Sequence, residues 1–123
     1  MFKGTEFKLI VAGGRDFDDF PKLCDSLIDL ADGIYHAREV SIVSGMARGA
    51  DALGVKFARM NNVKLHEFPA DWDKGRHAGF LRNSDMADFA DGLLAFWDGQ
   101  SRGTAHMIKS MELHNKPVHI VRY

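Results

Sequence analysis

Val43-Ser44-Gly45-Met46-Ala47-Arg48-Gly49-Ala50-Asp51 connects a short apolar run, residues 40–43, to a helical pattern over residues 53–60. An apolar strand, a tight glycine turn and a helix start together predict an anion site, because free backbone N–H groups and the helix dipole point at that position. Gly45 and Gly49 allow a ligand to approach the backbone closely, and Arg48 adds a fixed positive charge. The alternative interpretation is an ordinary strand-to-helix turn that requires small residues.

The composition is typical of one soluble globular domain, which we expect to span residues 1–123, with 46% hydrophobic and 27% charged residues. The formal net charge of -1 argues against nucleic acid or an acidic membrane as a partner. No stretch approaches the roughly 20 apolar residues of a membrane span, and residues 1–6 lack the apolar core of a signal peptide. The single cysteine fits a reducing compartment. We therefore expect a cytoplasmic protein.

Strand and helix patterns alternate along the whole chain. Apolar runs predict strands over residues 7–12, 39–43, 63–68, 92–97 and 117–121, and apolar spacings of three and four predict helices over residues 20–34, 53–60, 77–90 and 104–114. This alternation predicts an α/β fold, an open, mostly parallel five-stranded sheet with helices on both faces and strand order 3-2-1-4-5. Ligands of such sheets bind at the carboxyl ends of the strands, here between the first and fourth strands.

The predicted strand-end loops are rich in arginine. Segments 13–17, 44–51, 69–83 and 98–104 make up little more than a quarter of the chain, yet they contain five of its eight arginines. These are Arg15, Arg48, Arg76, Arg82 and Arg102. Turn geometry explains the glycines of these loops but not the arginines, which bind planar anions bidentately. The loops therefore predict a pocket for a phosphorylated ligand.

Individual polar residues leave alternatives open. Asp51 can neutralise Arg48, cap the helix start or accept a hydrogen bond from a ribose hydroxyl. Asn83 lies on the apolar face of its predicted helix, so it makes either a buried structural hydrogen bond or a ligand contact. Arg82 lies near the amino-terminal end of that helix, where a nearby anion would compensate its unfavourable charge. Gly99, Ser101, Gly103 and Thr104 form a second possible phosphate cradle at a helix start.

Trp72 and Phe17 are candidates for stacking on a base, although an aromatic residue in a loop can also simply anchor it. The methionines at helical spacing, Met60, Met86, Met107 and Met111, are predicted to fill the core. The six histidines lack metal-ligand spacing and a cysteine partner, so we expect no metal site and no cofactor.

Several ordered blocks of the sequence resemble the YspA/YpsA-related SLOG family. The blocks are Gly14-Arg15-Asp16-Phe17, residues 44–51, Phe68-Pro69-Ala70-Asp71-Trp72, Ala78-Gly79 with residues 82–86, and Phe96-Trp97-Asp98-Gly99 with Ser101, Gly103 and Thr104. That superfamily also contains the LOG-type phosphoribohydrolases and the DNA-uptake protein DprA. The resemblance implies a Rossmann-like fold, a nucleotide-like ligand, a role as a sensor in several members, and a homo-oligomer.

The resemblance also allows the catalytic residues of the LOG enzymes to be compared with the residues at the corresponding positions of this sequence. Arg82-Asn83-Ser84-Asp85-Met86 resembles the Arg-Lys-x-x-Met motif of the LOG enzymes, which implies a catalytic role for Arg82. Their second catalytic group is a glutamate, and Met107 occupies the corresponding position here. Methionine can neither transfer a proton nor stabilise a cation as a carboxylate does. The resemblance thus favours binding over cleavage, unless Asp51, Asp71 or Asp98 replaces the missing group.

Three functions therefore remain as hypotheses. The first is binding of a nucleoside phosphate or an ADP-ribose-like compound, with phosphate held by Gly14, Arg15, the 44–51 turn, Arg82 and the 98–104 turn. The second is LOG-like cleavage of nucleoside 5′-monophosphates, with Arg82, Asp51 or Asp98 as candidate catalytic residues. The third is DprA-like binding of single-stranded DNA, against which the near-neutral charge argues.

Overall fold

A five-stranded, all-parallel sheet forms the centre of the chain, and the computed structural model describes residues 5–123. Its strands are β1 (Glu6–Gly13), β2 (Glu39–Ser44), β3 (Leu65–Glu67), β4 (Gly92–Trp97) and β5 (Val118–Arg122). The order β3-β2-β1-β4-β5 confirms the predicted topology. The sequence predicts no signal peptide in residues 1–6, and residues 1–4 of this segment lie outside the described residues. Within residues 5–123, no helix is long and apolar enough to cross a membrane.

The centre of the sheet is buried on both faces, which explains why residues 9–12 of β1 and 92–96 of β4 are continuously apolar. Neighbouring residues of β1 enter different cores, because side chains alternate across a strand. Leu9 and Val11 pack with Leu23 on one face, whereas Ile10 and Ala12 pack with Met86 on the other. The first face is covered by α1 (Phe20–Asp32) and α2 (Ala50–Met60), and the second by α3 (Ala78–Phe89) and α4 (Arg102–Leu113).

Local capping defines where the helices begin. Asp19 precedes α1, and its carboxylate accepts a hydrogen bond from the Lys22 backbone N–H at 3.1 Å. Pro21 follows in the first turn, where a missing N–H costs nothing. Ser101 precedes α4 and accepts from the Thr104 backbone N–H at 3.5 Å. These caps fix the helix starts beside the carboxyl ends of the strands.

The structure differs from the sequence-based expectation at element ends. The predicted helix over residues 20–34 ends at Asp32, so Ile34 is exposed and Tyr35 takes the core position, stacked on Phe7 with ring centres 4.0 Å apart. The predicted strand over residues 63–68 is limited to Leu65–Glu67, because the Val63 N–H bonds back to the Ala58 carbonyl in the turn after α2.

The prediction that Met60 fills the core was wrong. Met60 is the last residue of α2 and is 67% exposed, whereas Met86, Met107 and Met111 are buried as predicted. Helical spacing alone does not reveal where a helix passes beyond the edge of the sheet that it covers.

Candidate functional site

A cleft of about 440 Å³ opens at the carboxyl ends of β1 and β4, where the chain order of the sheet reverses. This is the place where open parallel sheets bind their ligands. Its lining comes from the loops after β1, β2 and β4 and from α2, α3 and α4. The lining residues are Ala12, Gly13, Gly14, Arg15, Asp16, Ala47, Asp51, Arg82, Asn83, Met86, Asp98, Ser101, Gly103, Thr104 and Met107.

Most of the sequence-predicted ligand residues meet in this cleft. Those that line it are Gly14, Arg15, Asp51, Arg82, Asn83, Asp98, Ser101, Gly103 and Thr104. The arginines divide unequally, because Arg15 and Arg82 face the cleft whereas Arg48, Arg76 and Arg102 are exposed outside it. The local positive charge is therefore smaller than the arginine pattern of the sequence predicts.

Arg82 crosses from α3 to the loop after β2. Its Nη1 donates to the Gly45 carbonyl, and its Nε donates to the Asn83 side-chain oxygen at 3.1 Å. Among the described residues, its Nη2 has no protein acceptor, and it lies 3.8 Å from the position that a Cβ on Gly79 would take. Burial lowers the pKa of Arg82, although the nearby Asp51 carboxylate opposes this effect. The guanidinium is thus fixed in place while part of its donor set remains free.

Asn83 links α3 to the start of α4, so its polar side chain has a structural role. Its amide nitrogen donates to the Gly103 carbonyl at 3.2 Å and lies 3.3 Å from His106 Nδ1. The structural hydrogen bond that the sequence offered as one alternative is therefore present, and because Asn83 also lines the cleft, a ligand contact stays a prediction. The His106 ring in turn stacks on Phe80 with ring centres 4.3 Å apart.

Asp51 is a buried carboxyl group at the wall of the cleft, with only 5% of its surface exposed. Burial raises its pKa to about 6, and the charge of Arg82 and the N–H of Ala47 oppose this rise. In the described part of the chain, Asp51 and Arg82 form no direct ion pair. Asp51 can therefore exist as a neutral acid near neutral pH, which few surface aspartates can.

The turn between β2 and α2 is shaped by three small residues, Ser44, Gly45 and Gly49. The Ser44 hydroxyl is fully buried, donates to the Asp51 carbonyl at 3.3 Å and accepts the Met46 N–H at 3.1 Å. A Cβ on Gly45 would lie 2.6 Å from Arg82 Nη1. Gly49 has φ +75°, and a Cβ there would lie 2.2 Å from the Gly14 carbonyl oxygen. These three residues support the cleft without lining it.

The loop between β4 and α4 is organised by Asp98. Its carboxylate accepts hydrogen bonds from the backbone N–H groups of Gln100 and Ser101, both at 2.8 Å. These two bonds, the one from Ser101 first, hold the pKa of Asp98 below its ordinary value. Gly99 lies outside the cleft, with φ +85° and the Arg122 guanidinium 2.2 Å from the position of a Cβ. The charge of Asp98 thus stabilises the turn that presents Ser101, Gly103 and Thr104.

The two candidates for base stacking do not line the cleft. Phe17 is buried in the core, where its ring stacks on Phe96 at 4.5 Å and meets Tyr123 edge-on at 5.0 Å. The proposed contact of Phe17 with a base is therefore incorrect, because its ring is already packed on both sides. Trp72 lies on a short 3-10 turn (Trp72–Lys74) and is 58% exposed outside the cleft.

Several residues that line the cleft were not predicted to contact a ligand, although the resemblance had placed Met86 in the motif with Arg82 and Met107 at the position of the LOG glutamate. Met86 and Met107 belong both to the core and to the lining, so the cleft has a partly apolar floor. Asp16 also lines it, and its carboxylate accepts a hydrogen bond from the Tyr123 hydroxyl. No sequence signal connects Asp16 with Tyr123, because the two residues are far apart in the chain. The position of Asp16 after the first strand, however, was a signal that could have placed it in the cleft.

The family of the chain follows from comparison with known proteins. Residues 7–75, more than half of the chain, match the model of the YspA, cpYpsA-related SLOG family. The chain belongs to this family. A search of curated proteins gave no match. The matched segment of this SLOG-family chain contains Arg15 and Asp51, whereas Arg82 and the β4–α4 loop on the opposite wall lie beyond it.

Proposed function

We propose that this SLOG-family chain binds a nucleotide or a nucleotide-derived phosphorylated ligand, such as a nucleoside phosphate or an ADP-ribose-like compound, in the switch-point cleft. The observation that carries the proposal is that Arg82, which keeps one nitrogen without a protein acceptor among the described residues, lines the same cleft as the start of α4. In that first turn, the backbone N–H groups of Arg102 and Gly103 have no protein acceptor among the described residues. A phosphate placed there receives both charge and directed donors.

The remaining groups of the cleft suit the rest of a nucleotide. Asp16 and Asp98 offer carboxylate oxygens to ribose hydroxyls, and Met86 and Met107 provide apolar surface. A volume of about 440 Å³ is within the range of small-molecule sites. Because the carboxylate supplied by the LOG enzymes is replaced by Met107, we infer that the cleft retains its ligand as a sensor or ligand-binding module does.

Thermal shift assays with a panel of nucleoside mono- and diphosphates, ADP-ribose and inorganic phosphate test this proposal. A ligand at one hundred times its dissociation constant stabilises the fold by about 2.7 kcal/mol. Titration calorimetry then compares Arg82→Gln with the matched variant Arg48→Gln, which removes an exposed arginine outside the cleft. We expect a roughly tenfold or greater loss of affinity for Arg82→Gln, because a charge-assisted bond is removed, and no change for Arg48→Gln.

Two results would contradict the proposal. The first is that no compound of the panel raises the melting temperature, and the second is that both arginine variants lose affinity equally. Circular dichroism verifies that Arg82→Gln remains folded, since it also loses its hydrogen bond to Gly45.

Hydrolysis of the ligand is a second candidate function, which the environment of Asp51 favours. A carboxyl group with its pKa raised to about 6 is suited to donate a proton at neutral pH. In N-glycosidic cleavage, the bond between the ribose carbon and the base nitrogen would break as Asp51 protonates the departing base. Water would add to the ribose carbon, and its proton would return to the Asp51 carboxylate. Chromatography of nucleoside monophosphates incubated with the protein tests this. Release of free base that Asp51→Asn abolishes would support hydrolysis, and unchanged substrate would leave binding alone.

A further inference from the structure

Tyr123 contacts the loop that follows β1, although 107 residues separate it from Asp16 in that loop. Its backbone N–H donates to the Trp97 carbonyl at 3.3 Å, so Tyr123 continues the pairing of β5 with β4. Its ring meets that of Phe17 edge-on at 5.0 Å, and its hydroxyl donates to the Asp16 carboxylate. Because β4 lies between β5 and β1, the Tyr123 side chain reaches the β1 loop across the carboxyl end of β4, at the edge of the cleft.

Gly14 leaves the space that this contact needs. A Cβ on Gly14 would lie 1.7 Å from the Tyr123 hydroxyl oxygen and 2.7 Å from Asp16 Oδ1. The Gly14 carbonyl accepts the Phe17 N–H at 3.2 Å, which closes a turn with Arg15 and Asp16 at its centre. The phenol therefore lies directly against the turn that presents Asp16, and any larger residue at position 14 would displace it.

The hydrogen bond between Tyr123 and Asp16 has a definite direction. Partial burial and the bond to the Asp16 carboxylate raise the pKa of Tyr123, so the phenol keeps its proton at neutral pH and is the donor. The bond occupies Asp16 Oδ1. Among the described residues, Asp16 Oδ2 has no protein donor. The phenol thus restricts the rotation of the carboxylate and leaves its second oxygen without a protein partner.

Asp16 differs from the other carboxyl groups of the cleft lining, those of Asp51 and Asp98. Asp51 is buried, and Asp98 accepts hydrogen bonds from two backbone N–H groups of its own turn. Asp16 is exposed, and the bond from Tyr123 is the only hydrogen bond of its carboxylate in the described part of the chain. A carboxylate oxygen accepts hydrogen bonds and repels a phosphate, so Asp16 suits a hydroxyl donor. The neighbouring hydroxyls of a ribose are donors of this kind.

We propose that Tyr123 positions the Asp16 carboxylate to accept hydrogen bonds from the 2′- and 3′-hydroxyls of a ribose, and that this pair makes the cleft selective for ligands with a free sugar diol. The inference rests on the phosphorylated ligand proposed for the cleft. It narrows that ligand to ribonucleotides and related ribose phosphates, and it disfavours dideoxy sugars and sugars esterified at both neighbours. Tyr123 acts only through Asp16 and is therefore a positioning residue, whereas Asp16 touches the ligand.

Titration calorimetry with adenosine, guanosine, cytidine and uridine 5′-monophosphates and their 2′,3′-dideoxy analogues tests this selectivity. We expect the wild type to bind the ribose form roughly tenfold or more tightly than the dideoxy form, because a hydrogen bond to a charged group is lost. Tyr123→Phe removes only the hydroxyl, and it should lower this ratio roughly threefold or more while the affinity for inorganic phosphate stays unchanged. Asp16→Ala should abolish the ratio. Addition of Tyr123→Phe to Asp16→Ala should change nothing further, because the effect of Tyr123 passes through Asp16.

Tyr35→Phe is the matched control, because it removes a phenol hydroxyl that lies 2.8 Å from His119 Nε2 and outside the cleft lining. It should leave the ratio of ribose to dideoxy affinity unchanged.

Three results would overturn the role of Tyr123 and Asp16. The wild type could bind both sugar forms equally, Tyr123→Phe could keep the full ratio, or Tyr123→Phe could weaken all compounds and inorganic phosphate by the same factor, as a purely structural residue would. In each of these cases the phosphate still binds, so the ligand proposed for the cleft survives. If neither the nucleotides nor inorganic phosphate bind, both proposals fail together. Circular dichroism verifies that Tyr123→Phe and Asp16→Ala remain folded.

Discussion

Two helix starts border the cleft, and they differ in what already occupies them. The first N–H of α2, that of Ala50, donates to the Gly14 carbonyl at 3.2 Å. The same helix also carries its own carboxylate, Asp51, which accepts from the Ala47 N–H at 3.4 Å. At α4, Ser101 caps the N–H of Thr104. Each start leaves two backbone N–H groups without a protein acceptor among the described residues, those of Asp51 and Ala52 at α2 and those of Arg102 and Gly103 at α4.

The difference between the two starts is therefore the bond to the Gly14 carbonyl and the buried Asp51 carboxylate at α2, and not the number of free donors. The start of α2 joins β2 to β1 through Gly14, and the turn before it holds Arg82 through the Gly45 carbonyl, so this turn supports the cleft. A negative group buried at that start also disfavours a phosphate there unless it is protonated. The start of α4 lies beside α3, to which the bond from Asn83 to the Gly103 carbonyl joins it, and it carries no carboxylate of its own in its first turn. We therefore expect the anion at α4, whereas the sequence suggested both turns equally.

Substitution of Gly49 by alanine should have the largest effect on stability. Gly49 has φ +75°, a region that side chains disfavour, and a Cβ would meet the Gly14 carbonyl oxygen at 2.2 Å. Strain and overpacking together should lower the free energy of unfolding by about 4 kcal/mol. Urea denaturation measures this change. A variant as stable as the wild type would show that the α2 start is not a rigid part of the fold.

Replacement of Asp51 by asparagine should stabilise the protein in a pH-dependent way. The pKa of Asp51 rises from its ordinary 3.8 to about 6 because of burial, so the folded state binds the proton more tightly than the unfolded chain. The wild type therefore loses stability relative to Asp51→Asn as the pH rises from about 4 to about 6, by at most about 3 kcal/mol. Denaturation curves at pH 4, 5, 6 and 7.5 measure the difference.

The sign of that difference distinguishes two roles of the carboxylate. If the stability of Asp51→Asn relative to the wild type rises with pH and levels off above the pKa of Asp51, the buried charge costs stability. This is expected of a functional group. A constant loss at every pH would mean instead that Asp51 is mainly a stabilising contact of the α2 start.

The sequence was sufficient for the fold and for the location of the cleft, since continuous apolar runs identify buried parallel strands and the strand order fixes the switch point. It was not sufficient to decide which arginines point inward. Arg48 lies in the turn between Met46, which has φ +63°, and Gly49, which has φ +75°, and it is exposed outside the cleft. Side-chain direction in a turn depends on such angles, which residue types specify only weakly.

The sequence also did not predict the packing between distant parts of the chain. Phe17 follows the first strand, as a base-stacking residue would, but Phe96 and Tyr123 enclose its ring in the core. Met107 was predicted as core filler, and it also forms part of the cleft floor, because a residue at the edge of a core can border a cavity. These assignments depend on contacts between distant parts of the chain, which periodicity does not contain.

Substitution of Gly103 by alanine should have the smallest effect on stability and yet separate the two helix starts most clearly. A Cβ at Gly103 meets no atom within 4 Å, and alanine is the better helix former, so the free energy of unfolding should rise by at most about 1 kcal/mol. The same methyl group enters the cleft beside the free N–H groups, where it competes with a bound phosphate. We expect a roughly tenfold weaker ligand in calorimetry, equivalent to about 1.4 kcal/mol. Unchanged affinity would show that the phosphate does not bind at the start of α4. The turn of Gly45 and Arg48 before α2 would then be the anion site, and α4 the structural helix start.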